Sequence, residues 1–334
     1  MQSEEDNVKK VKFGIIGCGM IANVHAAAIK EIDKAELVGV YDVNSKSALS
    51  FSEKHGVKAF ERYADILSSD IDVLCVCTPS GHHAENAVKA LTAGKHVVLE
   101  KPMALTIDDV NAVIEAEKRS GKLLTVVSQL RFSPDVARVK KLVEGGALGK
   151  ITMCNLFMNY YRSPEYYSSS AWKGTREHDG GILMNQGIHG VDLVLHIMGK
   201  ISYAQSRTAT FSHSIETEDT VVSTVTFECG ALGVVEASTC AYPGFDRRIE
   251  IYGERGYVFM KENAIEKMMI DGEMINVSPK SGVSTSSDPS SLDISLHRAQ
   301  IMNVINALNG DEPLLVTSAD GKCAVEAIKM IYGK

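Results

Sequence analysis

A glycine-rich turn near the start of the chain constrains the fold more than any other feature. The apolar segment 11–16 indicates a buried strand, and it runs directly into Gly17-Cys18-Gly19-Met20-Ile21-Ala22, which opens a helical pattern. Gly17 allows a tight turn, Gly19 lets the backbone approach a pyrophosphate, and the small Ala22 permits close packing of the helix. A strand, a glycine turn and a helix in this order predict a phosphate site at the helix N-terminus.

The second strand ends at an acid that bears on the choice of cofactor. Segment 36–41 indicates a strand, and Asp42 follows it about 20 residues beyond the glycines, where an acid typically accepts a hydrogen bond from the adenine ribose 2′-hydroxyl. Asp42 therefore favours NAD. The nearby cation Lys46 would accept a 2′-phosphate if Asp42 turned away, so NADP stays open. A turn or a helix cap before Asn44 is the alternative role for Asp42.

Helical and strand patterns continue to alternate through the first third of the chain. We expect helices at 45–55, 84–93 and 107–119, and strands at 72–77, 96–99 and 123–127. This alternation predicts a parallel, doubly wound α/β sheet. Thr78-Pro79 and Glu100-Lys101-Pro102 then lie at its carboxyl edge, where such folds bind ligands. We expect Thr78 to bond the cofactor and Lys101 to contact cofactor and substrate together, its direction fixed by a cis bond to Pro102.

A second candidate site lies in the apolar segment 182–198, which has the length of a helix. Asn185, His189, Asp192 and His196 stand at i, i+4, i+7 and i+11, which predicts one polar stripe along a helix face. A buried stripe of unpaired polar groups costs about 1 to 3 kcal/mol for each group, so we expect it to line a cavity or a polar interface. A satisfied core network and a metal site are the alternatives to acid–base catalysis.

Oxidation of an alcohol requires a base that removes the hydroxyl proton, and Lys101 and His189 are the candidates. Ordinary pKa values of about 10.4 and 6.5 favour histidine, because the lysine pKa would have to fall by ~3.4 units, near ~4.6 kcal/mol. Lys101 then orients the hydroxyl and stabilises developing alkoxide. Burial beside a positive nicotinamide would lower the lysine pKa and exchange these roles.

Composition excludes several classes of function. The 334 residues carry a net charge of -7 without a basic stripe, so nucleic acid is not an expected partner. No apolar run reaches the ~18 residues of a membrane span, and the acidic N-terminus lacks a signal pattern, so we expect a cytoplasmic protein that binds no membrane. The seven cysteines lack paired spacings, and we expect neither disulfides nor a bound metal. This length predicts two domains.

The quoted motifs resemble those of the Gfo/Idh/MocA oxidoreductase family over nearly the whole chain. The matching stretches are GCGMIA, TPSGHHAENA, AGKHVVLEKPMA, QLRFSP, WKGT, GGILMNQGIHGVD and HRAQ…GDEPLLVTSADG. The resemblance implies a Rossmann domain at 11–128 after a disordered tail at 1–10, and an α+β domain at 129–334. That second domain has a large, mostly antiparallel sheet, which often builds homodimers or homotetramers through its open face. Strand-like segments from 201 to about 275 agree with this.

The resemblance also implies roles for individual residues. Lys101 and His189 match the proton-transfer pair, with Asn185 beside them where many members carry an aspartate, so a charged partner for His189 is missing. Cofactor contacts are implied for the glycine turn and for Asp42, Thr78, Pro79, His83, Glu100, Lys101, Gln129 and Trp172. Substrate contacts are expected of tyrosine, arginine and polar residues in the second half, because aromatic faces cover sugar rings and arginine pairs with phosphate or carboxylate: Tyr160, Arg162, Arg176, Asn185, His189 and Asp192.

Among members of this family, the chain looks like those that oxidise the 3-hydroxyl of UDP-N-acetylglucosamine or its uronate. We therefore expect an NAD-linked dehydrogenase of a pyranose, free or nucleotide-linked. The alternatives are an inositol 2-dehydrogenase, an NAD-dependent glycosidase with an internal redox cycle, and a ligand-sensing regulator without turnover. The presence of both Lys101 and His189 argues against the regulator.

Overall fold

The computed structural model describes residues 10–277 and 294–333. The tail expected at 1–10 lies almost wholly outside the described residues. None of the helices in the described ranges has the length and apolar character that crossing a membrane requires. All seven cysteines are free thiols.

The N-terminal part is a six-stranded, fully parallel sheet with helices between its strands, which confirms the predicted parallel α/β sheet. A short strand at 58–59 and a helix at 63–68 were not predicted. The strand order of the sheet is β3-β2-β1-β4-β5-β6. The strands are β1 (Val11–Ile16), β2 (Ala35–Tyr41), β3 (Lys58–Ala59), β4 (Val73–Val76), β5 (His96–Leu99) and β6 (Leu124–Val126). The helices are α1 (Met20–Lys30), α2 (Ser45–His55), α3 (Tyr63–Ser68), α4 (His83–Thr92) and α5 (Ile107–Ser120).

Local chemistry explains where these helices begin and end. The Asn44 side chain accepts bonds from the first amides of α2, and Thr106 does the same for α5, so both satisfy donors that have no partner within the helix. Gly56 and Gly121 end these helices in the left-handed conformation, at φ 64° and 66°. Such signals are short-range, and the predicted bounds agree with the observed ones within one or two residues.

The C-terminal part is an eight-stranded sheet of order β14-β13-β12-β11-β7-β10-β9-β8, antiparallel except where β10 meets β7. Its strands are β7 (Ile151–Asn159), β8 (Ile201–Ala209), β9 (Thr220–Phe227), β10 (Leu232–Ser238), β11 (Arg248–Gly253), β12 (Gly256–Lys261), β13 (Ala264–Ile270) and β14 (Glu273–Met274). The helices are α6 (Pro134–Glu144), α7 (Pro164–Ser168), α8 (Ile188–Met198), α9 (Ile294–Asn309) and α10 (Ser318–Ile331).

The last two helices return to the first sheet. Ile301, Val304 and Ile305 of α9 are buried in one core with Phe13 and Ile15 of β1. Helix α10 packs against α5, β6 and α8, so it joins the two parts. Apolar burial across this junction holds the carboxyl edge of the parallel sheet against the second sheet and its helices.

Candidate active site

A cavity of about 1210 Å³ lies at the carboxyl edge of the parallel sheet, between the two parts of the chain. The glycine turn and the ends of β2, β4 and β5 form one wall. The other wall comes from the segment after β7, the start of α8 and the turn between β12 and β13. This is the edge at which parallel α/β sheets place their ligands.

The glycine turn has the geometry of a phosphate cradle. Gly17 has φ +92°, and a Cβ there would stand 2.7 Å from the carbonyl oxygen of Cys77, so only glycine fits. A Cβ on Gly19 would meet no atom within 4 Å, which leaves its backbone open to the cavity. Met20 and Ile21 begin α1 and line the cavity as well. Amides at this helix start suit a pyrophosphate.

Two of the predicted cofactor residues, Ala22 and His83, make structural contacts. Ala22 is fully buried under the turn and does not line the cavity, because it packs in the core behind α1. His83 reaches the cavity wall, but its Nδ1 and Nε2 lie 2.6 Å and 2.8 Å from the carbonyl oxygens of Pro102 and Thr78. A neutral imidazole donates to one of these two oxygens, so the ring is held beside the ends of β4 and β5, and the cofactor contact expected of it stays a prediction.

The remaining cofactor candidates line the cavity. The Asp42 carboxylate accepts hydrogen bonds from the backbone amides of Cys18 and Asn44, both at 2.8 Å, and each of its oxygens can accept one more hydrogen bond. The hydrogen bond from Asn44, two residues further on, also makes Asp42 part of a turn. Among the described residues, the buried Thr78 hydroxyl and Gln129 side-chain oxygen have no hydrogen-bond partner, which suits groups that bond a ligand. Lining positions are also taken by Pro79, Glu100 and Trp172.

Lys101 projects from the end of β5 into the middle of the cavity wall. The Lys101–Pro102 peptide bond is cis, as predicted. The ammonium donates to the backbone carbonyl of Asn185 at 3.0 Å, and burial lowers the pKa of this lysine.

Glu100, the residue before this lysine, is paired with a histidine. One of its carboxylate oxygens lies 2.8 Å from the ring nitrogen Nε2 of His25. Burial alone would raise the pKa of Glu100, but the hydrogen bond and charge of His25 outweigh it and lower that pKa to about 2.

The stripe predicted along 182–198 is broken by a π-helical turn at Leu183–Gly187, after which α8 begins. Asn185 and His189 line the cavity. Asp192 does not line this cavity but lies in a small adjoining one with Lys101 and His189. Both of its oxygens accept from the Arg131 guanidinium, at 2.9 Å and 2.6 Å, and the substrate contact expected of it stays a prediction. The same ion pair argues against a metal held by this stripe. His196 is half-buried near the far end of α8.

His189 stays neutral in this site. Burial lowers its pKa well below the ordinary value, and the nearby cations Lys101 and Arg247 lower it further. A carboxylate does lie next to position 185. The Asn185 side-chain amide donates to Asp179, a buried acid that the sequence analysis did not single out. Burial raises the pKa of Asp179 to about 6, against hydrogen bonds from Gly174 and Asn185.

Aromatic and basic side chains form the part of the cavity opposite the glycine turn. The Arg162 guanidinium lies 5.5 Å and 5.6 Å from the ring centres of Tyr160 and Tyr166, and it donates to the Gln186 side chain at 2.9 Å. Arg176 was expected here but is exposed outside the cavity, with its amide bonded to Glu216, because its loop turns toward solvent.

Comparison with known proteins agrees with this geometry. A model described as an oxidoreductase family with an NAD-binding Rossmann fold matches residues 11–128, and a GFO/IDH/MocA C-terminal domain model matches 136–259. A myo-inositol 2-dehydrogenase of Thermotoga maritima is 31% identical over 260 residues, which are 75% of this chain and 75% of that protein. The chain belongs to the Gfo/Idh/MocA oxidoreductase family.

Other relatives of this Gfo/Idh/MocA protein match nearly its whole length. The WlbA dehydrogenase from Bordetella pertussis, solved with NADH and UDP-GlcNAcA, has a TM-score of 0.86 and 32% identity, covering 97% of this chain and 96% of that chain. A glucose-6-phosphate 3-dehydrogenase of Bacillus subtilis is 26% identical over 97% of this chain and 96% of its own length. The NAD-binding Rossmann domain and the oxidoreductase class are thereby confirmed.

Two further residues of this Gfo/Idh/MocA site were missed from the sequence. Arg247 and Glu262 form a buried ion pair of 3.1 Å that lines the cavity. The arginine passes over Gly190, where an added Cβ would stand 3.1 Å from its Cδ, so it lies beside His189. Arg247 directly precedes β11, and Glu262 directly follows β12. No local pattern in the sequence indicates that residues at these strand ends lie beside α8.

Proposed function

We propose that the protein oxidises a ring hydroxyl, at C3, of a pyranose sugar or sugar nucleotide, with NAD as the hydride acceptor. The observation that carries this proposal is the convergence of Lys101 and His189, from different parts of the chain, on the cavity that the glycine turn also lines. A dehydrogenase needs a nucleotide cradle and a proton acceptor at one place. The relatives include enzymes that act on sugars or inositols.

The shape of the site supports a large, polar substrate. Its volume of about 1210 Å³ exceeds the ~300–1,000 Å³ of a typical small-molecule site, so it has room for a dinucleotide and a sugar together. Tyr166 lines the cavity and offers an aromatic ring that suits a sugar, while Tyr160 also lines it but is only 3% exposed. Arg162 between them suits a phosphate or carboxylate. We propose NAD rather than NADP, because Asp42 lines the cavity and Lys46 does not.

When bound, NAD accepts a hydride from the carbon that carries the reacting hydroxyl. The sequence predicts His189 as the base, but burial and two neighbouring cations lower its pKa and make it a weak one. Burial also lowers the pKa of Lys101, which moves the lysine toward neutral pH. We therefore propose that Lys101 takes the hydroxyl proton and that the neutral imidazole of His189 holds the hydroxyl in place.

A substrate screen tests this proposal directly. Reduction of NAD and of NADP would be followed by absorbance with UDP-N-acetylglucosamine, its uronate, free hexoses, hexose 6-phosphates and inositols. We expect NADH to form with a pyranose and the product to be a 3-keto sugar by mass spectrometry and NMR. The inositol dehydrogenase relative makes inositol oxidation the second candidate. Sugar release without net NADH would indicate a glycosidase, and no turnover with any compound would contradict an oxidative role.

We also propose that a second copy of the chain covers the open face of the second sheet. Met153, Tyr203, Val222 and Leu232 share that face and are 38% to 60% exposed, while the opposite face is buried under helices. Contiguous exposed apolar side chains on a sheet favour association. Light scattering should show a dimer or tetramer, and Leu232→Glu should dissociate it; a monomeric wild type would contradict the proposal.

A further inference from the structure

Asp179 is a buried acid that does not line the cavity but bonds Asn185, which does, and the proposed proton transfer does not yet use it. It is 3% exposed and precedes Gly180 and Gly181, whose φ angles of 79° and 103° turn the chain sharply into the helical segment. One carboxylate oxygen accepts the Gly174 amide at 2.8 Å, which anchors it to its own loop. The other accepts the side-chain amide of Asn185, so the carboxylate is directed at the active site.

Asn185 links this acid to Lys101. Its side chain donates to Asp179, and its backbone carbonyl accepts from the Lys101 ammonium at 3.0 Å. By fixing the side chain of Asn185, the Asp179 carboxylate therefore also fixes the residue whose carbonyl holds the Lys101 ammonium. The other acid beside the lysine, Glu100, is already engaged by the ring of His25. Within the part of the chain that the structure describes, the Asp179 carboxylate accepts hydrogen bonds from two neutral amides, and its charge also acts on Lys101.

We propose that Asp179 is a positioning residue for the proposed oxidation: it orients Asn185, and through it the Lys101 ammonium, and its charge balances that of the lysine. This inference rests on the proposed function, because it assigns a task within that reaction. A carboxylate beside a buried ammonium favours the charged lysine and limits how far burial can lower the lysine pKa.

The charges around Asp179 give this arrangement a pH dependence. Burial raises its pKa to about 6, Glu218 raises it, and Lys101 lowers it. Lys173 and Arg162 also lie in this region. The charge of Asp179 raises the pKa values of Lys173 and Tyr166, and the charge of Arg162 lowers both of these pKa values. Below about pH 6, Asp179 loses its charge. The balancing effect on Lys101 should therefore be present above this pH and lost as the pH falls through it.

The test measures Lys101 itself, so it does not depend on the identity of the sugar. The full chain, loaded with NAD, would be labelled with trace acetic anhydride at a series of pH values, and Lys101 acetylation would be quantified by peptide mass spectrometry. Asp179→Asn should lower the apparent pKa of Lys101 by about one unit. The exchange variant Asp179→Asn/Asn185→Asp moves the carboxylate to the other end of the same hydrogen bond and should restore at least half of that shift.

A matched control is Asp65→Asn, which neutralises an acid at the exposed end of α3 and should leave the labelling unchanged. If Asp179→Asn does not fold by circular dichroism, Asn185→Ala replaces it. Loss of the Asn185 amide removes a hydrogen bond that lowers the Asp179 pKa, so this pKa should rise and Asp179 should carry less negative charge. The pKa of Lys101 should therefore fall in Asn185→Ala as well. An unchanged Lys101 profile in the folded variant, or an exchange variant no closer to wild type than Asp179→Asn, would overturn the proposal.

With a substrate from the screen, kinetics provide a second readout. Asp179→Asn should lower kcat at least about tenfold even at a pH where Lys101 is the neutral amine, because Asn185 and the lysine lose their orientation. It should leave the KM for NAD unchanged and move the acid limb of the pH profile to lower pH, because the Lys101 pKa falls. The exchange variant should recover part of kcat. Unaltered kcat and pH profile in Asp179→Asn would overturn the positioning role. If no compound is oxidised, the proposed function fails, while the labelling still decides whether Asp179 controls the charge of Lys101.

Discussion

Replacing Asp192 with asparagine should destabilise the fold without changing substrate binding. The acid and Arg131 are buried, with side chains 7% and 4% exposed, and they share two short hydrogen bonds. Asparagine has nearly the same shape as aspartate but carries no charge. The Arg131 guanidinium would then keep one carboxylate partner, Asp320, at 2.7 Å. Breaking a buried pair typically costs about 3–5 kcal/mol. We expect a loss near ~3 kcal/mol, because Asp320 still compensates part of the charge.

Urea unfolding followed by circular dichroism measures this loss, and steady-state kinetics give the KM for NAD and for the sugar. Asp65→Asn is the matched control, since it breaks a two-bond pair with Arg62 on the surface, where the side chains are 35% and 79% exposed. The control should leave stability within experimental error, because exposed pairs contribute little. Our interpretation of Asp192 would be refuted if Asp192→Asn were as stable as the control while the KM for the sugar rose tenfold or more.

Three other substitutions test the site. Lys101→Met should reduce the oxidation rate at least about 10²-fold and leave NAD binding, measured by calorimetry, nearly intact; an unchanged rate would remove its assigned role. Gly17→Ala should abolish NAD binding because a Cβ would meet backbone at 2.7 Å, whereas Gly56→Ala, also at positive φ but in open space, should lower stability and keep NAD binding. Asp42→Ala should raise the KM for NAD about tenfold and reduce the preference for NAD over NADP, measured as a ratio of kcat/KM; an unaltered ratio would contradict ribose recognition.

Most of the first sheet could be predicted to within one or two residues because its signals are local, although the strand β3 and the helix α3 were not. The glycine turn, the buried strands and the capping residues Asn44 and Thr106 each act within a few positions. A parallel sheet also has a fixed relation between strand ends and ligand edge, so the placement of Lys101 followed from the end of β5. The cis bond before Pro102 was predicted from the same position.

The second half was harder because its decisive contacts are distant in sequence. Regular helical spacing predicted one stripe, but the π-helical turn at Leu183–Gly187 shifts Asn185 relative to α8. Asp192 meets Arg131 across 61 residues, and no local pattern reveals such a pair. Strand β7 and the helices α6 and α10 were not singled out either. Asp179 carries only a weak local signal, the glycine pair that follows it.

The charges of the site explain why a lysine and a neutral histidine suit a reaction with NAD. Lys101 and Arg247 both disfavour an imidazolium at His189, and a cationic nicotinamide ring would disfavour it further. In the proposed reaction, the neutral amine of Lys101 takes up a proton while hydride removes the positive charge of that ring, so the net charge of the cavity is conserved. Asp179 and Glu100 then face a constant positive charge before and after the reaction. A buried site that keeps its charge constant avoids the large cost of desolvating a new ion.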